Sequence, residues 1–160
     1  KDIANIKLLI VGDALFEESE YKDKLHEYIK IHQLADRVFF LGHVNNPTFY
    51  IAASDLLCHC STAPEPFGRV LVEGVLAGVP VIATNAGGAK EIIIENKTGY
   101  LTPMSDPVML KETILKILNN DEGTQNLSLQ AFSHVIDNFT LDVTVKDFER
   151  VVMDVMNDTH

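Results

Sequence analysis

Short, nearly continuous apolar runs alternate along the chain with longer stretches whose apolar residues recur at helical spacing. Residues 6–11 read as a short buried strand closed by Gly12 and Asp13, and residues 38–41 as a second, stopped at Gly42. Residues 56–60, 81–84 and 100–101 give three more. Between the first two, residues 17–32 place Tyr21, Leu25, Tyr28 and Ile29 on one helical face. Short helices are predicted at 47–53, behind the turn Asn45-Asn46-Pro47, and at 89–95, ahead of a turn at 96–99. Asp106-Pro107 is an N-cap followed by a first-turn proline, and Leu110, Ile114, Ile117 and Leu118 form the buried face of the helix it opens. A helix over 123–138 aligns Leu127, Ala131 and Val135, and a last one over 142–156 aligns Val145, Phe148, Val152 and Val155. Strands alternating with helices predict βαβ units, right-handed crossovers and a parallel sheet: an α/β chain. In such sheets ligands sit at the carboxyl ends of the strands. Those ends are Gly12-Asp13, residues 42–45, Ser61-Thr62 with the segment after them, and residues 84–88.

The segment after Ser61-Thr62 breaks the pattern. Pro64 and Pro66 flank Glu65, which keeps Ala63 and Glu65 extended. Gly68 then releases the chain into a helix that runs to about Gly78 and is apolar almost all round, which predicts burial. Glu73 stands on that helix, and a carboxylate there is costly unless something donates to it. Arg69, one turn back, is one donor, in an i,i+4 pair with the cation first that contributes a few tenths of a kcal/mol. Ligand hydroxyls are the other. The first free amides of the helix belong to Phe67, Gly68, Arg69 and Val70, and such an end binds anions. Two carboxylates beside a phosphate site must face hydroxyls or repel the ligand. A ligand with phosphate in its middle and sugars at both ends, a nucleotide sugar, fits that arrangement.

The chain has 160 residues, enough for one domain with its own core. Its net charge of −10 argues against nucleic acid as a partner and leaves phosphate binding to local amides and a few cations. No apolar run is long enough to span a bilayer, and the first residues carry no signal-peptide pattern. Cys58 and Cys60 alternate on a strand and face the same way, a spacing that seldom gives a disulfide, so they read as core thiols in a reducing compartment. No other cysteine completes a metal site.

The run Glu65-Pro66-Phe67-Gly68-Arg69-Val70-Leu71-Val72-Glu73, followed by Gly78-Val79-Pro80-Val81-Ile82-Ala83-Thr84, resembles the signature of retaining GT-B glycosyltransferases of group 1 (family 4). The strand ends at Leu8–Asp13 and Val38–Val44, the stretch Gly87-Gly88-Ala89-Lys90-Glu91 and the turn Thr98-Gly99-Tyr100-Leu101 match the same family. The resemblance is close over residues 6–104. It implies a Rossmann-like three-layer α/β/α domain with a parallel sheet. It also implies that Glu65 binds hydroxyls of the transferred sugar and acts catalytically, and that Glu73 binds the donor ribose. Pro66, Phe67 and Gly68 would line the sugar, with backbone amides of the last two. Amides around Val70 and Leu71 would meet the diphosphate, and the loop Gly42-His43-Val44 would lie against the base. The resemblance gives less to Arg69 and Lys90, whose plainer readings are an ion pair and a surface residue. His43 also reads as an exposed loop residue, and His59 as a core or rim residue.

The family implies no metal and no cofactor. The donor is itself a substrate, a nucleotide-diphosphate sugar. It implies a hexose, such as mannose or galactose, moving to a glycan or lipid-linked acceptor in cell-surface polysaccharide or lipopolysaccharide synthesis. The setting would be cytoplasmic, or peripheral on the inner membrane face. The family's diphosphate-binding Arg and Lys lie on a first strand-helix unit that residues 1–7 do not supply. The chain therefore reads as a single nucleotide-sugar-binding domain over 1–160, ending in a helix over 142–160. It would be the C-terminal half of a GT-B enzyme without that unit, partnered by its own missing N-terminal domain and inactive alone. A GT-B nucleotide-sugar epimerase or hydrolase, or a non-enzymatic docking module, are the alternatives.

Overall fold

The computed structural model describes residues 5–13 and 19–157. The chain divides into two compact units, Lys1–Pro47 and Thr48–His160. In the first, β1 (Leu8–Val11) and β2 (Val38–Gly42) pair in parallel, joined through α1 (Ser19–Ile31). The register runs Leu8 with Val38 to Ile10 with Phe40, then slips so that Val11 meets Gly42. Gly12 donates to the Gly42 carbonyl at 2.9 Å, and Lys22 of α1 pairs with Asp13 at 2.6 Å. The expected start of α1 at Glu17 lies outside the described residues. Leu25 and Ile29 are half-buried, as the helical pattern requires, whereas Tyr21 and Tyr28 stand in solvent.

β1 corrects the expectation of a buried strand. Leu8, Leu9 and Val11 are exposed, and among the described residues β1 pairs on one edge only, in a two-stranded sheet. A continuous apolar run signals a strand meant to be covered on both faces, and it cannot say whether covering elements are in place.

The second unit opens with α2 (Thr48–Ala52). Its sheet is β3 (Leu57–His59), β4 (Val81–Thr84) and β5 (Tyr100–Thr102), in that order and all parallel. Parallel neighbours need crossovers. These contain α3 (Arg69–Leu76) between β3 and β4, and α4 (Ala89–Ile92) between β4 and β5. α5 (Pro107–Leu118), α6 (Asp121–Asn138) and α7 (Leu141–Asn157) follow. Every residue of β4 is buried, on both faces. Val81 and Ala83 join Leu71 and Val75 of α3, Ala89, Ile92 and Ile93, and Ala131 and Val135 of α6 in one core.

Local signals hold well here. Asp106 caps α5 by accepting from the Val108 and Met109 amides at 3.1 and 3.0 Å, with Pro107 next. Leu127, Ala131 and Val135 are buried on α6 as the spacing predicts. α3 is buried on one stripe, Leu71, Gly74 and Val75, and not all round. Leu76 is exposed, and Val70, Val72 and Glu73 are half-buried. α7 keeps its apolar register but has no buried residue, and Val145, Phe148 and Val152 are exposed. Its expected extension over 158–160 lies outside the described residues.

Cys58 and Cys60 are free thiols and exposed, not core residues, because β3 is the edge strand of its sheet. A hydrogen bond between them pushes the Cys58 thiol up and pulls the Cys60 thiol down.

Candidate functional site

β3 delivers the chain into the Pro64–Gly68 loop at its carboxyl end. The Ser61 hydroxyl donates to the Ala63 carbonyl at 2.8 Å and tightens the entry. Glu65 is half-buried, with its carboxylate 3.9 Å from Nε2 of His59. His59 therefore sits at the rim beside a candidate site residue, a neighbour that spacing along the chain does not reveal.

The loop after β4 holds Glu65 from behind. The Gly88 amide donates to the Glu65 carbonyl at 2.9 Å. Gly87 has φ +58, and a Cβ there would strike the Glu65 carbonyl oxygen. A Cβ on Gly88 would come within 2.7 Å of the Pro66 carbonyl and 2.8 Å of Phe67 Cα. The diglycine is thus the surface on which residues 65–67 lie. Its sequence signal is a glycine pair at a strand's carboxyl end, and that signal says only that some backbone comes close.

Gly68 turns the chain into α3 with φ +90, a left-handed conformation suited to glycine, and as N-cap it offers no side-chain acceptor. The Leu71 amide donates to the Gly68 carbonyl at 2.9 Å. Among the described residues, the amides of Phe67, Gly68, Arg69 and Val70 have no acceptor. The free donors at this end are these four, and Leu71, wholly buried, contributes packing. Phe67 is exposed, with its ring 6.2 Å from that of Phe139 at the end of α6.

The ion pair expected for Arg69 and Glu73 forms, Nε to Oε1 at 3.0 Å. The Glu73 side chain is 29% exposed and that of Arg69 is 86% exposed. Glu65, Pro66, Phe67, Gly68, Val70, Leu71 and Glu73 therefore share one loop-helix element of the second unit. Gly42, His43 and Val44 end β2 in the first unit, where Gly42 has φ +66 and His43 is exposed. Lys90 is exposed on α4. Among the described residues, no group of three or more His, Cys, Asp or Glu is placed to hold a metal ion. No helix among them is long and apolar enough to cross a membrane.

The fold and this loop-helix define an α/β chain of the GT-B type. Residues 1–134 match the model of the glycosyl transferases group 1, and the chain belongs to that family. It is 34% identical over 152 residues to N-acetyl-alpha-D-glucosaminyl L-malate synthase of Bacillus anthracis, a match covering 95% of this chain and 38% of the relative. Crystal structures of Anabaena Alr3699/HepE superpose with a TM-score of 0.88. The complex with UDP is 35% identical over 93% of this chain and 41% of that one. The complex with UDP-glucose is 34% identical over 94% and 42%. The C-terminal domain of a glycosyl transferase group 1 family protein (LpcC) from Francisella tularensis shares the fold, with a TM-score of 0.76 at 20% identity over 84% of this chain and 70% of that domain. The chain spans about two fifths of the length of the Bacillus and Anabaena proteins.

Proposed function

We propose that this chain is the donor-binding part of a retaining glycosyltransferase that uses a uridine diphosphate sugar. The observation that carries the reading is the start of α3, with no side-chain cap and, among the described residues, four amides without acceptors, set between Glu65 and Glu73. The Anabaena complexes with UDP and UDP-glucose, at 34–35% identity, favour uridine as the base. In this reading the amides of Phe67, Gly68, Arg69 and Val70 face the diphosphate. Glu73 accepts from the ribose hydroxyls, and Glu65 from hydroxyls of the sugar being transferred. As the glycosidic bond to phosphate breaks, negative charge grows on the leaving diphosphate. Fixed amides and the positive end of the helix stabilise that charge without having to reorganise. The diglycine holds Glu65 against a rigid backbone, so its carboxylate is preset for the sugar.

For the acceptor, the Bacillus anthracis relative favours a small hydroxy acid, whereas the signature's family is associated with glycan or lipid-linked acceptors. The test is incubation of the full-length protein with UDP-glucose or UDP-N-acetylglucosamine and each acceptor class, with the anomeric configuration of the product read by NMR. An α-linked product from the α-linked donor is expected. An inverted product contradicts the retaining mechanism. No transfer, with UDP-sugar epimerised or hydrolysed instead, contradicts the transferase reading.

A further inference from the structure

We infer that Phe139 is a positioning residue for the donor site: its ring holds Phe67, and through Phe67 the loop that opens α3, an inference that rests on the donor reading above. Phe67 is the last residue before Gly68, and its amide is one of the four free donors. Gly68, at φ +90, is a permissive joint, so the local backbone alone does not fix the direction from which the loop reaches the helix. The hold comes from a distant part of the chain. The ring centroids of Phe67 and Phe139 are 6.2 Å apart with the planes tilted by 57°, a separation and tilt at which aromatic pairs attract.

Phe139 is itself anchored. It ends α6, its amide donates to the carbonyl of buried Val135 at 2.8 Å, and its side chain packs against the core. Its ring also makes an edge-to-face contact with His134, centroids 5.7 Å apart. The amide nitrogen of Asn138 lies 3.2 Å from Nδ1 of His134 and 2.8 Å from the His134 carbonyl oxygen. That nitrogen only donates, so Nδ1 accepts and Nε2 carries the hydrogen, 3.5 Å from the Glu91 carbonyl oxygen. Glu91 belongs to α4, directly behind the diglycine on which residues 65–67 lie. The contacts close a circuit from the diglycine through α4, His134 and Phe139 to Phe67. Gly88 meets Phe67 at its backbone and Phe139 meets it at its ring. Phe67 remains 46% exposed, so the ring contact adds little burial to the fold, and its effect falls on where the loop and its amides point.

The test compares the affinities of the full-length protein for UDP and for UMP, which lacks the β-phosphate that the amides at the start of α3 would meet. The parent binds UDP more tightly. In F139L and in F67L, which keep an apolar side chain and remove one ring, the preference for UDP falls by about fivefold. The double variant F67L/F139L falls no further than either single one, because one contact is lost in all three. F139Y keeps the ring and retains the preference. The thermal midpoint of F67L stays close to the parent's, since Phe67 is exposed. A merely structural role for Phe139 would weaken UDP and UMP alike. A preference unchanged in F139L and F67L therefore overturns the positioning role and leaves the donor reading standing. Additive losses in the double variant, or a loss in F139Y equal to that in F139L, overturn the ring-to-ring account. Equal binding of UDP and UMP by the parent overturns the diphosphate role of the start of α3, and the inference with it.

Discussion

Glu73 and Glu65 are held by different means, and each makes its own prediction. Glu73 is ion-paired to one side chain among the described residues, Arg69, through Oε1. Glu65 is steadied through its backbone, whose carbonyl takes the Gly88 amide while Gly87 packs against it. Gly87→Ala therefore places a Cβ into the Glu65 carbonyl at a left-handed φ. Roughly 2–4 kcal/mol of stability should be lost. Urea unfolding measures that loss, and UDP-sugar binding should weaken in the same variant because Glu65 shifts. Stability equal to the parent's would show that the two loops do not bear on each other. The cysteines give a prediction independent of the donor site. The hydrogen bond that lowers Cys60 and raises Cys58 makes Cys60 the more readily ionised thiol of the two. Iodoacetamide should label Cys60 first, and mass spectrometry of brief reactions reads the order. Faster labelling of Cys58 would contradict it.

At the scale of elements, local chemistry is what the chain states openly. Asp106-Pro107 announces α5, and the amides of Val108 and Met109 answer it. Asp106→Ala should cost about 1 kcal/mol, seen as a lower urea midpoint with an unchanged slope. A midpoint equal to the parent's would show that the cap carries no stability. Leu127, Ala131 and Val135 announce the buried stripe of α6 with equal clarity, because period alone decides which face turns inward. The failures share a cause. The apolar run of β1, the all-round apolar character of α3, and Cys58 in β3 with Cys60 just after it each suggest burial. Burial depends on neighbours contributed by other elements, and no local pattern reports them. β1 has one paired edge, β3 is an edge strand, and α3 turns Leu76 to solvent. The loop-helix motif was readable for the opposite reason. Its prolines, Gly68 and the spacing of Glu65 and Glu73 are local. What stayed hidden was long-range: the Gly88 bond to Glu65, 23 residues apart (88 − 65), and the approach of His59.

At the scale of the whole molecule, the second unit carries the candidate donor site on one rigid frame. β4 is buried on both faces, and α3 and α6 pack into the same core. The net charge of −10 makes this chain's own field repel a diphosphate, so what the chain contributes to holding one comes from local donors at the start of α3. Raised ionic strength should therefore leave UDP affinity little changed or slightly improved, where a site built on a basic patch would lose it. The central claim is that this loop-helix holds a nucleotide sugar through Glu73 and the free amides beside it. The most direct measurement is calorimetric titration of the full-length protein and its E73Q variant with UDP. Binding by the parent, weakened about tenfold or more in E73Q, is the predicted result. No binding of UDP by the parent, or equal affinity in the two proteins, would contradict it.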